Sequence, residues 1–220
     1  MARTTLVLYG LSANPPTLAH KAIIEHIVEL YRHCDFWIIP TFRHPIKTNL
    51  IDFNHRVNML NLMCDYNASK LNEYESEYGY FYNGCVSRIE ETVLPTCSND
   101  LIEFIRSHYE YTDIIYVCDY TIIMDIFSLK RMKSLELIHN VSFHVILNHD
   151  NDMERDIIKI NNSINELELE KEIDVSYSYL RHIDESIRST EVRNASSEKQ
   201  RASLLDDKVY DYLTQHGIIF

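Results

Sequence analysis

Glycine is scarce in this chain, with four in 220 residues, and proline is little more frequent at five. That scarcity excludes collagen-like and Gly/Pro-rich low-complexity architectures. Neither GxGxxG, the pattern of dinucleotide-binding turns, nor GxxxxGK[ST] is present. The five cysteines, at 34, 64, 85, 97 and 118, form no CxxC pair, so no zinc knuckle or thioredoxin-like motif is encoded. Their odd number and loose spacing read as reduced thiols of an intracellular protein. No apolar run is long enough to span a bilayer, and the N-terminus lacks a signal-peptide pattern. An excess of positive charge is missing too, since 33 acidic against 21 basic residues leave a formal charge of -12. Such a surface repels phosphate backbones and anionic lipid, so neither nucleic acid nor a membrane is an expected partner. One small polyphosphate held by a few local cations remains compatible with it. The expectation is a soluble protein, cytoplasmic or nuclear.

What is present is an ordinary core-forming composition, 45% hydrophobic and 25% charged, without linker or repeat. One domain, 1–220, is therefore expected. Short runs rich in β-branched and aromatic residues recur at Thr5–Tyr9, Asp35–Ile39, Asp113–Cys118, Ser142–Leu147 and Asp174–Leu180. Helical patterns lie between them. Ala22, Ile23, Ile27 and Leu30 make one apolar face, Val57, Leu60 and Met63–Cys64 a second, and Leu101, Phe104 and Ile105 a third. Asp152–Lys171 reads as a long charged helix, and Asp206–His216 as the last one, stopped by Gly217. Strands alternating with helices predict an α/β fold with a mostly parallel sheet covered on both faces, ending in a small helical section. Such sheets bind ligands beyond the carboxyl ends of their strands, which directs attention to the turn after Gly10.

Two strings stand out. LVLYGLSANPPTLAHKAIIEHIV runs from a strand through two prolines into a helix, with Thr17 as the predicted N-cap and His20 in the first turn. A helix start of this kind presents unpaired N–H groups to an anion. IRSTEVRNASS (187–197) predicts another helix start, capped by Ser189, with Arg193 one turn on and its planar fork suited to phosphate oxygens. Taken singly, His20 also reads as a solvated or capping residue, and the second string as an ordinary capped helix with an exposed arginine.

Together, Ser12-x-Asn14-Pro15-x-Thr17-x-x-His20 resembles the (H/T)xGH-type signature of cytidylyltransferase-like nucleotidyltransferases, and IRST-x-x-R resembles their ISSTxxR signature. Within that superfamily the chain is most similar to the nicotinamide/nicotinate mononucleotide adenylyltransferases. HPIKTNLIDFNHRVNMLNL (44–62) resembles the segment with a phosphate-binding lysine and an His-Arg pair. IYVCDYTIIMDIFSL (115–129) resembles the strand ending in Gly-x-Asp, with Val117-Cys118-Asp119 in its place. The resemblance implies a Rossmann-like, doubly wound fold in which C-terminal helices from about 189 complete the ATP site. It also implies transfer of AMP from ATP to nicotinamide or nicotinate mononucleotide, giving NAD or deamido-NAD and pyrophosphate, with Mg²⁺ neutralising the phosphates and no protein metal ligand.

The implied roles follow residue by residue. His20 would donate to the α-phosphate, with Lys47 and Arg193 as the other catalytic cations. Leu11, Ser12, Ala13 and Thr17 would line the nucleotide, Asp119 would accept from ribose hydroxyls, and Ser189, Thr190 and Arg193 would hold the outer phosphates. Ser12 and Lys47 would hold the mononucleotide phosphate. Leu129-Lys130 stands where relatives often carry a tryptophan, and Leu129 would border the pyridine, with Glu75 and the tyrosines from Tyr74 to Tyr82 as further candidates. His55 and Arg56 read as structural, the arginine buried against carboxylates or loop carbonyls. A related transferase using another phosphate acceptor, and an inactive nucleotide-binding relative, stay open as alternatives, as does homo-oligomerisation.

Overall fold

The structure, a computed structural model, describes residues 4–44, 47–64, 84–148, 153–180 and 187–220. Six strands form its sheet: β1 (Thr5–Leu11), β2 (Asp35–Pro40), β3 (Gly84–Val86), β4 (Asp113–Asp119), β5 (Ser142–Asn148) and β6 (Val175–Leu180). Every pairing is parallel, in the order β3-β2-β1-β4-β5-β6. The order reverses between β1 and β4, which creates the crevice at the carboxyl ends of the central strands. The five expected strands are all present. The sequence reading missed β3, whose three residues are too few to show a period.

Helices α1 (Leu18–Leu30), α2 (Phe53–Cys64), α3 (Ile89–Val93), α4 (Ser98–His108), α5 (Tyr120–Phe127), α6 (Ser134–Asn140) and α7 (Met153–Glu166) connect the strands. Three short helices close the described chain: α8 (Ser189–Arg193), α9 (Glu198–Ser203) and α10 (Asp207–Gln215). Alternation along β1 explains the two layers. Leu6 and Leu8 face a core built with α4, α5, α6 and α7, while Val7, Tyr9 and Leu11 face one built with α1, α2, α8 and α10. The fold is the expected α/β sheet wound on both faces. In α1 the buried positions are Ile24 and Ile27, whereas Leu30, expected inside, is 51% exposed near the helix end. The long charged helix ends at Glu166, earlier than expected, and Glu168 then takes a left-handed φ of 48°. The last helix runs as expected, with Asp206 capping it through Lys208 N–H and Gly217 at φ 61° after its end. Among the described residues no helix is long and apolar enough to cross a membrane.

Gly10 corrects the sequence reading. The strand does not turn there: Gly10 pairs with Ile39 and Leu11 with Pro40, so β1 runs through both. Ala13, at φ 49°, makes the left-handed step instead, just before a cis Asn14–Pro15 bond. A methyl group at Gly10 would meet nothing closer than the Tyr116 hydroxyl, at 3.8 Å.

The far end of α1 is anchored by a buried histidine. His144, 1% exposed in β5, has Tyr31 Oη and Ser176 Oγ each 2.8 Å from Nδ1, and Ser178 Oγ 2.8 Å from Nε2. Ser178 also meets His26 of α1 at 2.8 Å. Burial, aided by the charge of His26, pulls His144 down to about 4.

Two outcomes are expected. Gly10→Ala should be neutral or stabilising by up to about 1 kcal/mol in urea unfolding, because a strand glycine costs chain entropy on folding; a loss larger than that would mean the position needs glycine. Between pH 6.5 and about 4 the unfolded His144 binds a proton that the folded one rejects, so stability should be complete above pH 6.5 and fall as the pH drops toward 4. His144→Gln should flatten that fall in a pH series of denaturation midpoints.

Candidate active site

The site grows from the loop between β1 and α1. Thr17, wholly buried, is the N-cap of α1, and His20 occupies the third helical position. The pair forms a capping box in which histidine replaces the usual Glu or Gln. The Thr17 backbone N–H donates to His20 Nδ1 at 3.0 Å, and the Thr17 hydroxyl lies 2.8 Å from the same nitrogen. A backbone N–H can only donate, so Nδ1 is the unprotonated nitrogen and the ring proton sits on Nε2. Burial, with the charge of Lys47, pulls His20 down to about 4, which keeps the ring neutral near pH 7. His20 is therefore held as a neutral Nε2–H donor, and its Nε2 makes no other hydrogen bond among the described residues.

The C-terminal signature packs onto this loop. Thr17 Oγ1 donates to Ile187 O at 3.2 Å, Ser189 Oγ to Pro15 O at 2.7 Å, and Arg193 Nη1 to Asn14 O at 2.6 Å. Arg193 Nη2 donates to Thr190 Oγ1 at 3.1 Å. Ser189 is thus the first residue of α8 and not its cap. Arg188 holds the cap position, and the serine hydroxyl docks the helix against the N-terminal loop. Arg193 spends one arm on that docking, and its remaining N–H groups stay available to an anion.

A third segment, the loop between β2 and α2, supplies Lys47. Its Nζ donates to Ser12 Oγ at 3.1 Å, and its backbone N–H donates to His44 Nδ1 at 3.1 Å. Burial and the charge of Arg193 lower the Lys47 ammonium below the ordinary lysine value, so the two cations converge on one space. Arg56, 1% exposed, holds the loop in place. It donates to Ile51 O at 2.8 Å, Ser12 O at 2.9 Å and Thr41 O at 2.7 Å. The structural reading of Arg56 describes these contacts well. His55 likewise serves packing, its Nδ1 2.9 Å from Tyr212 Oη of α10.

The remaining candidates divide. Asp119 is exposed at the end of β4, where Oδ1 accepts from Ile122 N–H at 2.8 Å and caps α5. Leu11 and Ala13 are buried under the loop and offer only backbone. Leu129 is 46% exposed at φ 55° in the loop after α5, apart in sequence from the loops that carry Thr17, Lys47 and Arg193. Trp37, the chain's one tryptophan, packs edge-on against Tyr109 and Tyr111 with ring centroids 5.0 and 6.0 Å away. Glu75 and the tyrosines from Tyr74 to Tyr82 lie outside the described residues. Among the described residues no three or more His, Cys, Asp or Glu side chains gather to hold a metal. Asn14, buried at 4% exposure and joined to the docked arginine, is a member of the site that sequence reasoning quoted without assigning it a role. Its place before a proline was the only local signal.

No family model matches the chain. A curated relative from Acholeplasma laidlawii, described as "Probable nicotinate-nucleotide adenylyltransferase", is 44% identical over 62 residues, 28% of this chain and 33% of that protein. One of the same description from Fervidobacterium nodosum is 26% identical over 129 residues, 54% of this chain and 60% of that protein. The matched stretches thus span from a third to three fifths of these relatives' own lengths. The solved Plasmodium falciparum nicotinic acid mononucleotide adenylyltransferase, complexed with NaAD, superposes with a TM-score of 0.74 at 18% identity, covering 98% of this chain and 97% of that one. The described residues share that protein's fold, and the descriptions of all three matches name the family that the two signatures resemble.

NMR of ¹⁵N-labelled imidazoles should find His20 as the Nε2–H tautomer at neutral pH, titrating near 4; a midpoint close to 6.5 would contradict this geometry.

Proposed function

We propose that the protein transfers AMP from ATP to nicotinate mononucleotide, forming deamido-NAD and releasing pyrophosphate. The observation that carries this reading is the neutral His20 donor, fixed by Thr17 beside Lys47 and beneath a docked Arg193. Three donors on three segments match a reaction that joins two phosphates and expels a third group. The relatives' printed names and the solved neighbour's bound NaAD supply the acid form of the acceptor.

The chemistry assigned to these residues is positioning and charge stabilisation. A phosphate oxygen of the mononucleotide attacks the α-phosphorus of ATP in line, and the bond to the bridging α–β oxygen breaks with its electrons going to pyrophosphate. Lys47 and Ser12 hold the attacking phosphate. His20 Nε2–H donates to a non-bridging α-phosphate oxygen as charge builds there, and a neutral ring does so without a proton changing hands. The free N–H groups of Arg193 meet the outer phosphates, and the open oxygen of Asp119 accepts from a ribose hydroxyl. Mg²⁺ would enter such a site with ATP, held mainly by its phosphates, since among the described residues these loops offer cations, hydroxyls and amides and no cluster of carboxylates. When bound it neutralises phosphate charge.

His20→Ala should lower kcat by about 10²–10³, as when one preorganised donor to a transition state is removed. Pyrophosphate release from ATP and nicotinate mononucleotide is the measurement, with chromatographic identification of deamido-NAD. Unchanged turnover in that variant would remove His20 from the chemistry, and no product from the unaltered protein would overturn the assignment itself.

A further inference from the structure

The two phosphate-handling arms of the site belong to distant segments, yet they meet at a single buried residue. The loop carrying Lys47 lies on one side of Asn14 and helix α8 with Arg193 on the other. The side-chain amide of Asn14 bonds the first arm at both ends: Oδ1 accepts from Ile51 N–H at 2.7 Å, and Nδ2 donates to Asn49 O at 3.2 Å. Its main-chain oxygen serves the second arm, accepting from Arg193 Nη1 at 2.6 Å. Both ends of the amide are thus engaged by the loop that carries Lys47.

We infer that Asn14 is a positioning residue that sets where the Lys47 ammonium meets the acceptor phosphate. This rests on the function proposed above. A lysine side chain has a long flexible stem, so whether its ammonium can reach Ser12 and the phosphate depends on the backbone beneath it. Arg56 fixes the edges of that loop, at Thr41 O and Ile51 O, but not the stretch between Lys47 and Asn49. Asn14 reaches that stretch through Asn49 O. The site calls for a neutral group that donates and accepts at once. Alanine supplies neither function and leaves the Ile51 N–H without its partner. Aspartate keeps the acceptor for Ile51 but turns a negative oxygen toward the Asn49 carbonyl. The backbone oxygen that receives Arg193 survives in either variant, so the two arms are separable by experiment.

Initial rates of pyrophosphate release, with ATP and nicotinate mononucleotide varied independently, supply the test. In Asn14→Ala the KM for the mononucleotide should rise at least tenfold, while the KM for ATP stays within about twofold of the original. In a Lys47→Ala background the same change should raise the mononucleotide KM less than twofold further, because the group it positions is gone. Asn14→Asp should fall between Ala and Asn, and it carries the comparison if the alanine variant does not fold, as judged by circular dichroism and thermal midpoint. Calorimetric titration with the mononucleotide alone should repeat the order without turnover. Equal rises in both KM values, a fall in kcat alone, or additive losses in the double variant would overturn the inference. An unaltered protein that makes no dinucleotide and does not bind the mononucleotide would instead overturn the functional reading on which it rests.

Discussion

The site depends on a clasp between two ends of the chain. Carbonyl oxygens at Asn14 and Pro15, left turned outward by the left-handed step at Ala13, receive the Arg193 guanidinium and the Ser189 hydroxyl. Without those bonds the oxygens would be buried and unpaired, and the cost of an unpaired buried acceptor is comparable with that of losing a hydrogen bond. The same contact sets Ile187 O against the Thr17 hydroxyl, and Thr17 in turn fixes the histidine tautomer. Satisfaction of the backbone and the orientation of the His20 ring are therefore one arrangement.

Charge is distributed to match. A protein with a net charge of -12 collects Lys47, Arg193 and the buried Arg56 around the carboxyl ends of β1 and β2. Arg56 neutralises no carboxylate directly; it saturates three carbonyls and converts two loops into one rigid wall. Such a local positive potential within a negative surround favours an anion at this end of the sheet.

The sheet was legible in the sequence because β-branched runs alternate with amphipathic helices, and the crevice followed from the strand order that this implies. The helix start at Thr17 was legible for the same local reason. Gly10 and Ser189 were misread because composition suggests a role that tertiary contacts override. The glycine sits inside a ladder that Leu11 continues, and the serine hydroxyl finds an oxygen 174 residues away before it can cap its own helix. Asn14 shows the limit most clearly. Its three partners come from segments 35, 37 and 179 residues distant, and no local pattern encodes such a junction. Resemblance to a family gave roles to residues around it but gave this one no task.

Helix α1 carries one more such debt to the later chain. Its first amide, Leu18 N–H, donates to Leu204 O at 3.1 Å, and Lys21 pairs with Asp206 at 2.6 Å. During synthesis α1 emerges early, but its amino end stays unfinished until residues some 185 positions later have left the ribosome. A nascent chain can therefore pair all six strands, the last ending at Leu180, before the partners of this helix end exist.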